Sequence, residues 1–65
     1  MTIFFENGKN EQAICTWDNY QAAVPNIGDY VMLNVMYNKE EYKVVKRIFT
    51  EDYVTLVVMG TDGYI

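Results

Sequence analysis

Apolar and polar positions alternate along most of this chain, and no stretch shows the 3.6-residue period of an amphipathic helix. The clearest case is Asp29 to Met36. Val31, Leu33 and Val35 fall on one side, and Tyr30, Met32, Asn34 and Met36 on the other. A strict period of two predicts a strand whose first set faces a core. Two further runs, Thr2 to Phe5 and roughly Gln12 to Trp17, flank Glu6-Asn7-Gly8-Lys9-Asn10. Asn-Gly between apolar runs is a strong hairpin signal, because both residues tolerate positive φ. A fourth run spans Tyr42 to Thr50, after a charged loop Tyr37-Asn38-Lys39-Glu40-Glu41. Tyr42 and Val44 are expected to face the third strand's core side. No single parity then buries Val44, Val45, Ile48 and Phe49 while exposing Lys46 and Arg47, which predicts a bulge or bend near Lys46. A turn at Glu51-Asp52 leads to a fifth run, Tyr53 to Met59. Its Val54, Leu56 and Val58 share one face, and Tyr53, Val57 and Met59 the other, so cover is expected on both sides.

The longest irregular segment covers positions 18–28. Asp18 is placed to cap one helical turn through Ala23, which Pro25 would end. Gly28 is expected at positive φ just before the third strand. Gly60 to Gly63 reads as a turn or frayed tail, with Tyr64-Ile65 a short edge strand or a free end. These runs predict an all-β fold, a five-stranded antiparallel meander curled into a small barrel, with residues 1–65 as one domain.

Composition narrows the functions open to such a fold. At 65 residues, 51% hydrophobic, the chain has room for one small core. Its ten aromatics (one Trp, six Tyr, three Phe) exceed what one small barrel interior holds. Five basic residues against nine acidic ones give a net charge of −4. A phosphate backbone or an anionic membrane surface would repel that charge. Nucleic-acid mimicry calls for rows of carboxylates, and only Glu40-Glu41 and Glu51-Asp52 are adjacent. Neither a signal peptide nor a transmembrane run is visible, so a cytoplasmic location is expected.

Candidate chemistry is sparse. The chain has no His and no Ser, which removes the usual general base and the serine nucleophile. Cys15 is its one cysteine and alternates with Ala13 and Trp17, the pattern of a small buried apolar residue. Asp18 and Asp29 flank the long loop, but a cap and a turn residue are their expected roles. Asp18, Asn26 and Asp29 lack calcium-loop spacing. No enzyme activity, metal or cofactor is expected.

The stretch Val24-Pro25-Asn26-Ile27-Gly28-Asp29-Tyr30-Val31, followed by Tyr42-Lys43-Val44, has the outline Pro-x-x-Gly-Asp-x-Val and then Tyr-x-Val. It resembles small SH3-like β-barrel proteins of bacteria, phages and mobile elements, over about Ile3 to Met59. The resemblance implies an SH3-like barrel and a setting in a bacterial cell or phage-infected host. There a short acidic protein would act by binding and inhibiting a host system. The Ala-Leu-Tyr-Asp-Tyr segment of signalling SH3 domains is absent, so their Pro-rich peptide binding is not implied.

Two surfaces stand out for binding. Trp17, Tyr20, Tyr30, Met32, Met36 and Tyr37 border the long loop and the third strand's outer face. Trp, Tyr and Met are enriched where proteins meet. A protein partner or self-assembly is expected there, with some of Tyr30, Met32, Met36, Tyr53, Val57 and Met59 buried between chains of a homo-oligomer. Lys43, Lys46 and Arg47 hold three of the five positive charges within five residues. They form a candidate anion-binding set, and the alternative function is a nucleotide binder with its site at an oligomer interface.

Overall fold

The computed structural model describes residues 1–61. It contains five strands: β1 (Thr2–Asn7), β2 (Ala13–Trp17), β3 (Tyr30–Val35), β4 (Asn38–Phe49) and β5 (Tyr53–Gly60). They form a single curled sheet in the order β2-β1-β5-β4-β3, a half-barrel. The edges β2 and β3 approach each other across the open side without a ladder between them. The expectation for Tyr64-Ile65 lies outside the described residues.

The all-β class and the curl match expectation, but the purely antiparallel meander does not. β1 pairs β5 in parallel, from Thr2 opposite Tyr53 to Asn7 opposite Val58. The other three pairs are antiparallel. The physical reason is burial. Parallel pairing sets Ile3 and Phe5 beside Val54, Leu56 and Val58, and all five are fully buried. Val31, Leu33, Tyr42 and Val44 complete the core from β3 and β4. Each such side chain is worth about 1.5–3 kcal/mol when removed from water.

The expected bulge in β4 is present. The register against β5 shifts between Val44 and Lys46. Val44 therefore points inward, Lys46 pairs with Val57 on the outer face, and Arg47 pairs with Leu56 on the inner one. Cover on the outer face of β5 is only partial. Thr55 and Val57 are half-buried, whereas Tyr53 and Met59 are exposed. Tyr53 rests edge-on against Phe4 of β1, ring centroids 5.1 Å apart.

Three connections differ from expectation. No helical turn follows Asp18; the segment is irregular through Ala23, and Tyr20 instead exchanges backbone bonds with Met1 at 2.9 and 3.2 Å. The charged loop 37–41 is absent, because β4 begins at Asn38. A two-residue turn, Met36-Tyr37, joins β3 to β4 with φ of 47° and 74°. Both central residues of such a turn need positive φ, and Asn or Gly normally fills them. A residue with a Cβ pays about 1 kcal/mol or more at each position. The Asn7-Gly8 turn lies where expected but works differently. Its positive φ falls at Glu11 (60°), while buried Asn7 accepts the Lys9 N–H on Oδ1 at 2.8 Å.

Gly8 is required by close approach. Its N–H donates to the Val58 carbonyl at 2.8 Å, extending the parallel ladder. A Cβ there would lie 2.9 Å from Met59 Sδ and 3.0 Å from Val57 Cγ1. Met59 can swing away, but the branched Val57 cannot. Gly8→Val is expected to lower the unfolding free energy by about 1–3 kcal/mol, read as a lower urea midpoint. An unchanged midpoint would rule out close approach as the reason for glycine.

Candidate functional site

The open side of the half-barrel carries two grooves. The long 18–29 segment leaves β2, crosses this side and joins β3. It is pinned by a compact set of bonds. The Asn26 N–H donates to Asp29 Oδ2 at 2.8 Å, and the Asp29 N–H to the Asn26 carbonyl at 3.0 Å. Gly28, at φ 95° as expected, donates its N–H to the Val44 carbonyl, and the Val44 N–H donates to the Asp29 carbonyl. The segment is thus stitched to β4 just before the bulge.

Aromatic packing sets the other wall. Trp17 lies edge-on against buried Phe5 at 4.7 Å and beside Tyr20 at 5.2 Å. Together with Val24, Pro25, Tyr30 and Met32, these two rings line a groove of about 730 Å³. Trp17, Tyr20, Val24 and Pro25 are half-buried, and Tyr30 (61%) and Met32 (54%) are mainly exposed. Four of the six residues expected to bind a partner therefore share one site. The other two do not. Met36 borders a second groove of about 340 Å³ with Ile14, Val35 and Tyr42, and Tyr37 stands fully exposed on the turn.

The candidate anion set does not converge. Lys43 and Lys46 are exposed on the outer face, opposite Met59 and Val57. Arg47 points to the inner face, half-buried, with its guanidinium 4.8 Å over the Phe49 ring. Its Nη1 donates to Asn26 Oδ1 at 2.7 Å, and Nε is buried with no hydrogen-bond partner among the described residues. Arg47 thus lies on the opposite face from Lys43 and Lys46, and it serves to tie the long segment down. Asp29 is likewise occupied as a turn carboxylate.

Other chemistry is limited. Cys15 sits opposite Phe5 and is half-buried, less enclosed than its alternation suggests. Burial pushes its thiol above the ordinary value, which keeps the thiolate scarce near neutral pH. Among the described residues no cluster of three or more Cys, Asp or Glu is placed to hold a metal. Among the described residues no helix is long and apolar enough to cross a membrane. Residues whose exposure was not legible in sequence include Phe4 and Ile48, which face outward on the convex surface. Comparison with family models, curated proteins and solved structures returns no match.

Two outcomes follow from this geometry. Asn26→Ala removes the acceptor of both the Ile27 N–H and Arg47 Nη1. It should cost about 1–2 kcal/mol. Arg47→Met keeps a long apolar stem over Phe49 and deletes the unpartnered Nε. It should still lower the urea midpoint, though by less, because it removes the Nη1 tie to Asn26; an unchanged midpoint for Arg47→Met would refute the tying role. Alkylation of Cys15 in the folded protein should be slower at pH 8 than in a short peptide of the same sequence, and a matching rate would contradict its burial.

Proposed function

We propose that this chain is a non-catalytic protein-binding domain, and that the Trp17–Tyr20–Tyr30–Met32 groove is its contact surface. One observation carries the reading: four large side chains from β2, the long segment and β3 line a single open groove in a very small domain. Rings already held by packing lose little entropy on binding, and Trp, Tyr and Met are enriched at interface centres. The groove sets apolar rings beside polar atoms that include the Asp29 carboxylate, which suits a protein side chain and repels a phosphate. The dispersed cations weaken the nucleotide alternative.

An SH3-like kinship is supported by the Pro25-to-Asp29 turn and the returning Tyr42-Lys43-Val44 arm. In the phage or mobile-element setting that this implies, the domain binds a larger host protein stoichiometrically. Its small size and net charge of −4 support that role.

The test pairs native mass spectrometry with Met32→Lys, an exposed change on a strand face. Wild-type protein should form a complex of defined stoichiometry, with a second copy or another protein. Met32→Lys should lose at least tenfold in affinity at unchanged melting temperature. A complex that survives Met32→Lys moves the surface elsewhere. Finding no complex of any kind overturns the protein-binding reading.

A further inference from the structure

We propose that the Met36-Tyr37 turn of one copy seats in the Trp17–Tyr20–Tyr30 groove of a second, so that the chain assembles head to tail. This rests on the reading of the groove as a protein-binding surface and names its occupant.

The turn is the starting point. Met36 is 85% exposed and Tyr37 fully so, and both hold positive φ without being Gly or Asn. Local stability would favour Asn-Gly at these positions. The turn therefore carries backbone strain and presents two large apolar side chains to water. Strain and exposure coinciding at one spot point from the outlier toward a role.

The groove matches that turn in three respects. Its volume, about 730 Å³, falls within the roughly 300–1,000 Å³ typical of occupied sites. That leaves room for a tyrosine ring with a methionine beside it. Its walls are Trp17, Tyr20 and Pro25, surfaces on which a phenol ring stacks. Its charge is complementary. Asp29 lines the groove and Asp18 directly follows Trp17, both exposed, whereas Lys39 stands exposed two residues beyond Tyr37 and its neighbour Glu40 is half-buried on the opposite face, against Leu33. Glu41, further back on β4, is engaged by the Thr61 hydroxyl at 2.9 Å. Asp29 gives one oxygen to Asn26, and a carboxylate keeps further lone pairs for a phenolic O–H.

Position excludes self-occupation. The groove lies at the Tyr30 end of β3 and the turn lies beyond Val35, at the other end. Five strand steps separate them, roughly 17 Å. Each copy thus offers a knob and a hole at opposite ends. Engaged one way, such a contact is heterologous and continues to a ring or an open filament; engaged reciprocally by two copies it would stop at a two-fold dimer.

The test is sedimentation velocity from micromolar to millimolar concentration with two variants. Wild type should gain mass with concentration and pass beyond the dimer. The double change Met36→Asn with Tyr37→Gly relieves the strain. It should stay monomeric while its melting temperature rises by several degrees, on the scale of about 4–8 °C per kcal/mol for a domain of this size. Met32→Lys should also stay monomeric; if it fails to fold by circular dichroism, Ala23→Glu on the groove wall replaces it. An equimolar mixture of turn and groove variants should form dimers and nothing larger, because only one knob and one hole remain competent.

A wild type that is monomeric at millimolar concentration, or that stops at a dimer, overturns the inference. So does a turn variant that assembles like wild type, or a mixture that does not dimerise. If the wild type is monomeric yet a different protein binds through Met32, only the identity of the occupant fails. If nothing binds the groove, the protein-binding reading fails with it.

Discussion

The parallel ladder between β1 and β5 is the constraint on which the rest of the molecule depends. Without it the chain is a hairpin of β1 and β2 and a separate meander of β3, β4 and β5. With it, Ile3 and Phe5 come beside Val54, Leu56 and Val58, and one core forms from both parts. Phe5 in turn carries Trp17, and Trp17 carries Tyr20. The groove wall is therefore an outgrowth of that ladder. The demand for close approach at Gly8, which continues the ladder to the Val58 carbonyl, belongs to the same constraint.

Local patterning made much of the strand content legible. Alternation placed Val31, Leu33 and the half-buried Val35 inward and put Val54, Leu56 and Val58 on one common face, and the broken parity around Lys46 located the bulge. Strand partnership was not legible. Nothing in Thr2 to Asn7 says whether β5 will lie parallel or antiparallel, because side-chain alternation is the same in both cases. The decision falls to the whole core, and so to residues some fifty positions apart. The turn at Met36-Tyr37 was hidden for a different reason. Neither residue is a turn former, so the polar residues after it looked like the loop.

The site shows the same division. Sequence placed Trp17, Tyr20, Tyr30 and Met32 around the long segment, and they do line one groove. It also grouped Lys43, Lys46 and Arg47 by proximity along the chain. Strand alternation undoes that group: adjacent Lys46 and Arg47 point to opposite faces, and the bulge at Val44/Lys46 sets Lys46 on the outer face with Lys43 and Arg47 on the inner one. Neighbourhood in sequence survives in a loop that folds over itself. In a strand it survives only with knowledge of which way each residue points.

The order of the strands also bears on how the protein is made. β1 leaves the ribosome first, and β5, one of its two neighbours, is the last strand of the sheet to be synthesised. Until then Ile3 and Phe5 have only the β2 hairpin against them, and a two-stranded hairpin alone is marginal in water. The core therefore closes in a single late event once β5 is available. Nascent chains expose an unpaired edge and bare apolar side chains throughout synthesis. A chain cut short before Val58 would present that edge permanently, as a substrate for chaperones and proteases rather than as a weakened version of the same domain.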